Sequence, residues 1–215
     1  MRLLLRRAES RGDVLRCRRL IAEVYHRDYE VVFSEDRYDL DAKVEPWPHR
    51  YLMAIHAGEI VAACGLYVRD TYVERFGQVA DDDLRGLLAT AGAAAEYDVT
   101  RKREVTKMSV AHRWRGRGIA SYLTGAAHSR HFTEVDVDRA VMVFCAKRSI
   151  VDGIFHRAGL RTRPIKPFPF YKVHELYRSS DDPMESRLIV PRADIPTHWY
   201  ELALPGECDT ERLPG

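Results

Sequence analysis

The chain has 215 residues, of which 46% are hydrophobic and 31% are charged, and its formal net charge at pH 7 is +2. This size and composition predict a single globular domain over residues 1–204, followed by a loose polar tail at residues 205–215. The small net charge argues against a nucleic-acid partner, and base-stacking aromatic residues are not interleaved with the basic ones.

No targeting, membrane or metal-binding pattern is evident. The three leucines that follow Arg2 are too few for the core of a signal peptide. No apolar run approaches the roughly 18 residues of a membrane span. His128 and His131 lack a third ligand at useful spacing, so we expect no metal. Four cysteines are widely spaced: Cys17, Cys64, Cys145 and Cys208. We expect reduced thiols in a cytoplasmic protein.

The N-terminal part predicts a strand and then a helix. Residues 2–8 fit a strand, which the Arg-Gly-Asp sequence at 11–13 interrupts. Asp13 is a suitable N-cap for a helix over residues 14–24. Apolar residues recur at helical spacing in this helix, and we expect them to face the core.

Residues 26–50 are rich in charged and aromatic side chains and end with Pro46 and Pro48. Such a segment is either a solvated loop or the lid and acceptor wall of an active site. The sequence leaves both interpretations open.

A hairpin and a further helix follow. Tyr51–Ile55 and Glu59–Val68 predict two strands joined at Ala57-Gly58. Residues 80–98 begin with three aspartates and continue with alanines, which predicts a helix. Asp82 or Asp83 would stabilise its first turn.

The second half of the chain alternates strand-like and helix-like segments. Its predicted strands are residues 101–110, 139–145, 171–177 and 187–190. One predicted helix covers residues 119–132, and Ser149 would cap another that stops at Gly159.

The most informative stretch runs from Glu104 to Ala120 and joins a predicted strand to a predicted helix. It contains the turn Arg-Trp-Arg-Gly-Arg-Gly at residues 113–118. Glycine lets the backbone approach a ligand closely, and the free amides at a helix start carry partial positive charge. The arginines of the turn add further positive charge. We therefore expect this turn to hold a phosphate group.

This turn and two other segments resemble the GNAT N-acyltransferase superfamily. Arg113-x-x-Gly116-x-Gly118-Ile119-Ala120 is similar to the superfamily's pyrophosphate loop. Met108-Ser109-Val110 lies where the superfamily's splayed strand pairs with pantetheine amides. The segment from Ser149 to Leu160, which ends Phe-His-Arg-Ala-Gly-Leu, resembles its last helix.

The resemblance implies an α/β (α+β) fold with a central mixed, largely antiparallel sheet, flanking helices and a splayed pair of strands at the donor site. It also implies an N-acyltransferase whose co-substrate is an acyl thioester of coenzyme A or of acyl carrier protein. The implied donor-binding residues are Met108, Ser109, Val110, Arg113, Arg115, Gly116, Arg117, Gly118, Ile119 and Ala120. The candidates for a basic docking surface for acyl carrier protein are Arg115, Arg117, Lys147 and Arg148.

A narrower resemblance concerns the strand itself. Glu104-x-Thr106-Lys107-Met108-x-Val110 is similar to the Glu-x-Ser/Thr-Arg-Phe-x-Val pattern of acyl-homoserine-lactone synthases and long-chain N-acyl amino acid synthases. It implies that Glu104 and Lys107 face an acceptor pocket. Asp36 and Asp39 match the acidic acceptor element of those enzymes, whereas Asp28 stands where they carry arginine. The implied acceptor is the amine of a small molecule.

These matches imply direct transfer of the acyl group to the amine. Glu104 is the expected general base, and the alternative is a structural carboxylate paired with Arg103 or Lys107. A backbone N–H near Val110 would polarise the thioester carbonyl. Phe155 stands where many members use a tyrosine to protonate the leaving thiolate, so the thiolate leaves unassisted or another group serves.

Three functions stay open at this point. The first is transfer of a medium or long acyl chain, which the match at Glu104, Asp36 and Asp39 favours. The second is acetyl-coenzyme A-dependent N-acetylation, the most common activity of the superfamily. The third is a non-catalytic module that binds an acyl thioester, which Phe155 favours.

Overall fold

The computed structural model describes residues 2–29, 47–69, 71, 74, 79–128, 139–167, 184–189 and 206–209. Asp36 and Asp39, most of the predicted lid segment and the predicted strand at 171–177 lie outside these residues.

The described strands form one sheet. They are β1 (Arg2–Arg7), β2 (Arg50–His56), β3 (Glu59–Tyr67), β4 (Asp98–Val110), β5 (Ala140–Lys147), β6 (Thr162–Pro167), β7 (Met184–Ile189) and β8 (Gly206–Asp209). Their order across the sheet is β6-β7-β5-β4-β3-β2-β1-β8. Neighbouring strands pair antiparallel, except that β4 and β5 are parallel. The predicted mixed, largely antiparallel sheet is confirmed.

In the described part of the chain a short 3-10 helix (His112–Trp114) follows β4, and longer or wider helical segments accompany the strands. They are α1 (Arg11–Tyr29), α2 (Asp81–Thr90), α3 (Ile119–Ala127) and α4 (Arg148–Ile150), which continues in the wider π-helical form over Val151–Phe155. No described helix is both long and apolar enough to cross a membrane.

Helices cover both faces of the sheet. Successive side chains of a strand point to opposite faces, and β2 shows this clearly. Leu52 and Ala54 pack in a cluster with residues of α3. Tyr51, Met53 and Ile55 pack in a second cluster with residues of α1. The helices α1 and α3 therefore lie on opposite faces.

The hairpin between β2 and β3 agrees with its sequence signal. Ala57 and Gly58 both have positive φ, 47° and 81°. Two successive left-handed residues give the backbone twist that a tight hairpin needs. The predicted strand pair is confirmed, with bounds that differ by a residue or two.

The start of α1 corrects the predicted cap. The helix begins at Arg11, and the Asp13 N–H donates to Ser10 Oγ at 3.0 Å. Ser10 is thus the capping residue, and Asp13 lies inside the first turn. The Asp13 carboxylate accepts hydrogen bonds from Arg6 at 2.8 and 3.0 Å and from Arg16 at 2.6 Å. It ties α1 to β1.

Two further boundaries differ from the prediction. The helix predicted over residues 80–98 ends at Thr90, after which Gly92 takes a left-handed conformation with φ 71°. Residues 206–209, expected in a loose tail, form β8 on the edge of β1. The prediction of a loose tail is wrong for these four residues, because strand pairing uses backbone groups that polar segments also carry.

The cluster around Asp13 gives a test of stability. The guanidinium of Arg6 is the main cause that holds the pKa of Asp13 well below its usual range. We expect Asp13→Asn to lower the free energy of unfolding by about 2 kcal/mol at pH 7. Because the folded-state pKa is depressed, this contribution is complete above about pH 4 and falls away as the pH drops below it. Urea denaturation at pH 7 and pH 3 measures both effects.

The matched control is Glu23→Gln, which changes an exposed carboxylate on the same helix. We expect it to change the free energy of unfolding by less than about 0.5 kcal/mol. Equal losses in the two variants would contradict the role given to Asp13.

Candidate functional site where two strands separate

The strands β4 and β5 pair over only part of their length. Their parallel register ends where Glu104 faces Val143. Beyond that point β5 stays paired with β7 as far as Lys147, and β4 stays paired with β3 as far as Val110. The two strands therefore separate, as predicted for the splayed pair.

A cavity of about 500 Å³ lies between the separated strands. Val24, Tyr25 and Asp28 of α1 line it on one face of the sheet, and Ile119 and Phe155 line it on the other. Since α1 and α3 lie on opposite faces, the cavity passes through the sheet between the separated strands. It can hold a ligand that reaches both faces.

The glycine turn lies at this cavity. Gly116 and Gly118 have φ values of 74° and 77°, in the region that favours glycine. Gly118 is the N-cap residue of α3, and no side chain caps the first turn of that helix. A Cβ placed on Gly116 would meet no atom within 4 Å. Gly118 and the first residues of α3, Ile119, Ala120 and Ser121, also line the cavity, so a phosphate there would lie beside the start of the helix.

The three arginines of the turn have different partners. Arg113 forms an exposed ion pair with Glu59. Arg115 donates from Nε to the Val110 carbonyl at 3.1 Å and pairs with Asp28. The Arg117 guanidinium lies 5.1 Å from the centre of the Trp114 ring. Of these arginines only Arg115 lines the cavity.

The structure brings most of the predicted donor residues together. Those that line the cavity are Met108, Val110, Arg115, Gly116, Gly118, Ile119 and Ala120. Ser109 is buried beside them, and its hydroxyl donates to the Lys107 carbonyl at 3.2 Å. Arg113 and Arg117 lie on the exposed side of the turn.

A bulge in β4 sets the position of Lys107. Thr106 pairs with Gly65 and Ser109 with Ala63, so two residues of β4 face one residue of β3. Lys107 takes a left-handed conformation with φ 51°, which costs a residue with a side chain about 1 kcal/mol or more. On β3, the bulge lies next to Gly65, which pairs with Thr106. Gly65 packs against Pro48, because a Cβ on Gly65 would come within 2.2 Å of the proline ring.

The Lys107 side chain is 4% exposed and lies between two aromatic rings. Its Nζ is 5.6 Å from the centre of the Tyr25 ring and 5.9 Å from that of Trp47. The guanidinium of Arg18 lies 5.2 Å from the same Trp47 ring. These distances allow cation–π attraction. The rings hold the ammonium of Lys107 at the cavity wall.

Glu104 stands where the strands separate. Its side chain is 2% exposed and lines the cavity together with Lys107. The neighbouring Arg103 donates hydrogen bonds from Nη1 to the backbone carbonyls of Val68 and Lys102. A carboxylate and an ammonium thus border the same buried space. The carboxylate can accept a proton from an amine, and the ammonium can donate a hydrogen bond to an anionic or carbonyl oxygen.

An aromatic pair borders the other side of the cavity. Phe144 of β5 and Phe155 of the π-helical turn stack with ring centres 4.0 Å apart and an angle of 7° between planes. The His128 ring packs edge-on against Phe155 at 5.7 Å. π-Helical turns occur often at functional sites. Here the turn carries Gly153, Ile154 and Phe155 to the cavity.

Cys17 and Cys64 take no part in this site. Burial raises the pKa of the Cys17 thiol to about 12 and also raises that of Cys64. Both thiols are fully buried, and neither lines the cavity. A neutral, enclosed thiol is a poor nucleophile.

Several residues of the site were not singled out in the sequence. They are Tyr25, Trp47 and Phe144, together with Asp28 in its contact with Arg115. Tyr25 lies on the predicted apolar face of α1, and Phe144 lies in an apolar run, so core packing explained both. Tyr25, Asp28 and Phe144 line the same cavity, which depends on contacts between distant parts of the chain, and Trp47 lies beside Lys107 at that cavity.

No family model matches the sequence, and no curated protein matches it. Solved structures do match. One is the coenzyme A-dependent acyl-homoserine lactone synthase BjaI with SAM and isopentyl-CoA: TM-score 0.61, 14% identity, covering 95% of this chain and 91% of that one. Another is FeeM, an N-acyl amino acid synthase from uncultured soil microbes: TM-score 0.51, 13% identity, with 94% of each chain covered.

A third match is a putative N-acetyltransferase from Lactobacillus plantarum: TM-score 0.51, 10% identity, covering 88% of this chain and 99% of that one. These likenesses extend over nearly the whole length of each protein. The chain has the fold of these structures, which is a GNAT-like fold. The predicted fold class is confirmed.

Proposed function

We propose that this chain is an N-acyltransferase that moves an acyl group from a thioester to the amine of a small molecule by direct attack. The observation that carries the proposal is the cavity through the sheet, which reaches from the glycine turn to the buried carboxylate of Glu104. A ligand with a phosphate at one end and a reactive carbonyl at the other suits such a cavity. Acyl-coenzyme A has this form.

The donor binds along β4. Its diphosphate accepts hydrogen bonds from the amides of the turn and of the first residues of α3. Arg115 lies at the cavity, and Arg113 and Arg117 add charge from the exposed side. The pantetheine arm lies beside Met108, Ser109 and Val110, on the edge that β5 leaves free. Coenzyme A dependence of BjaI supports this choice of donor.

A carrier-protein donor is the alternative form of the same proposal. Lys147 and Arg115 line the cavity, and Arg117 is exposed beside it. Together they would present positive charge to an acidic carrier. The side chain of Arg148 lies outside the described part of the chain. A cytoplasmic location, where thiols stay reduced, belongs to the same proposal.

Glu104 acts as the base. It takes one proton from the acceptor's ammonium group, and the neutral nitrogen attacks the thioester carbonyl. A backbone N–H on the free edge of β4, near Val110, stabilises the negative charge on the carbonyl oxygen. The C–S bond then breaks, and the nitrogen's second proton passes to the thiolate or to water. The products are an amide and a free thiol.

Lys107 contacts the acceptor. Its ammonium lies at the α1 side of the cavity, close to Tyr25. It would bind an oxygen of a small molecule whose amine faces Glu104. Asp36 and Asp39, outside the described residues, remain predicted acceptor contacts.

A non-catalytic acyl-thioester-binding module is the second candidate. Phe155 favours it, because this ring stacks on Phe144 and offers no hydroxyl to a leaving thiolate. Against it, a thiol with an ordinary pKa near 8.5 is a good leaving group without an acid. Turnover decides between the two candidates.

Binding of the donor tests the turn. We expect Gly116→Asp to abolish the binding of coenzyme A, because it places a carboxylate beside the phosphates. Thermal shift and calorimetry with coenzyme A and octanoyl-coenzyme A measure the loss. The control is Gly92→Asp: Gly92 has a similar φ of 71° and open space around its Cβ position, but lies after α2. Intact binding in the Gly116 variant would refute the donor turn.

Replacement of the base tests catalysis. We expect Glu104→Gln to lower kcat/KM about 10²- to 10⁴-fold while coenzyme A still binds. Release of free thiol from octanoyl-coenzyme A, with the twenty amino acids as a mixture of acceptors, measures turnover. Glu96→Gln, at an exposed position away from the cavity, is the control. Unchanged turnover in the Glu104 variant would show that another group is the base.

The aromatic pair tests where the acyl chain ends. We propose that Phe155 closes the acyl end of the cavity, so that Phe155→Ala extends it. The ratio of kcat/KM for decanoyl- to butanoyl-coenzyme A should rise about ten-fold or more, since a few buried methylenes are worth 1 kcal/mol or more. Val99→Ala, a buried change outside the cavity, controls for loss of stability. An unchanged ratio would place the acyl chain elsewhere.

A further inference from the structure

Arg115 joins three elements that line the cavity. It belongs to the glycine turn, its Nε donates to the Val110 carbonyl at the end of β4, and its Nη2 pairs with the Asp28 carboxylate at the end of α1. The side chains of Arg115 and Asp28 are 38% and 22% exposed. The ion pair therefore spans the cavity wall between the turn and α1, partly out of water.

Asp28 is an unfavourable residue for its place in α1. It lies in the last turn of the helix, where the partial negative charge of the helix end disfavours a carboxylate. Its partner lies 87 residues away in the chain. The ion pair with Arg115 compensates for this cost. It also gives Arg115 an anionic partner before any phosphate is present.

We propose that Asp28 limits the affinity of the donor site for coenzyme A by competing with the diphosphate for Arg115. The inference rests on the proposed donor turn. The N–H of Nη2 that is directed at Asp28 is not available to a phosphate, and the paired carboxylate offsets the guanidinium charge that would attract the diphosphate.

This competition has a consequence for turnover. The donor and the product coenzyme A carry the same diphosphate, so an interaction that weakens one weakens the other. Release of product limits the rate of many enzymes. A competing carboxylate would speed that release while the acyl chain, present only in the donor, retains the substrate.

The same turn supplies a natural control. Arg113 pairs with Glu59 in a similar ion pair, but these side chains are 67% and 46% exposed, and neither lines the cavity. Removing the carboxylate of Glu59 frees an arginine of the turn without changing the cavity wall. The two pairs therefore separate a local competition from a general gain of positive charge.

Calorimetric titration with coenzyme A tests the proposal on the full chain. We expect Asp28→Asn to lower Kd about five-fold, since a partly exposed ion pair is a modest competitor. Asp28→Glu should bind like the wild type, and Glu59→Gln should change Kd less than about two-fold. Affinity should fall more steeply with salt in Asp28→Asn, because binding no longer replaces an existing ion pair.

A double-mutant cycle fixes the partner. In an Arg115→Gln background, the Asp28→Asn change should no longer lower Kd. A gain of equal size in that background would mean that Asp28 acts on the ligand by repulsion alone, and would overturn the competition for Arg115. The melting temperature of each variant without ligand shows whether folding has changed.

The outcomes separate this inference from the proposed function. If the wild type binds coenzyme A and Asp28→Asn binds it equally or more weakly, the inference fails and the donor site stands. If neither the wild type nor any variant binds coenzyme A, both fail. Tighter binding in Asp28→Asn alone, lost in the Arg115→Gln background, supports both.

Discussion

The cavity exists because β4 and β5 separate part of the way along their length, and the rest of the site depends on this separation. Two parallel strands that stay paired leave no space between them, whereas these two separate after Glu104 and Val143 and open a passage through the sheet. The separation leaves backbone N–H and C=O groups on the facing edges of both strands, and such groups need partners. Arg115 supplies one, at the Val110 carbonyl. An extended pantetheine arm carries amides that suit the others. The opening thus creates both the space for a donor and the backbone groups that would hold it.

The strands can separate because each keeps its other neighbour. β5 is paired with β7 and β4 with β3 throughout the gap. The β4 bulge then turns Lys107 toward the α1 side, against Tyr25 and Trp47. A glycine at this position would avoid the strained φ, so lysine carries a cost in free energy here. The side chain, rather than the backbone, is what this position supplies, which agrees with a role at the acceptor.

The sequence predicted the elements better than it predicted their contacts. Apolar spacing and glycine turns are local signals, and they located the hairpin, the glycine turn and β4 before α3. Ser10 replaced Asp13 as the cap of α1 because both are good caps and three residues separate them. β8 was missed, since its pairing with β1 uses the backbone alone. The left-handed conformation of Lys107 has no signal in the sequence, where glycine or asparagine would normally mark it. The pair Asp28–Arg115 needs α1 packed beside the turn, which no local pattern gives.

Phe155 stands where the resemblance to the GNAT superfamily implies a tyrosine, and this affects which steps of the proposed reaction need a protein group. An amine acceptor is a cation near neutral pH and cannot attack until it loses a proton, whereas a thiolate departs readily. The step that needs a protein group is therefore on the acceptor side, where the buried Glu104 borders the cavity. On the leaving-group side Phe155 stacks on Phe144 and closes apolar space. The fold can give up the acid there and use the position to shape the donor pocket, provided that the base is kept. Under the proposed function, activity would therefore depend on Glu104 and not on the residue at 155.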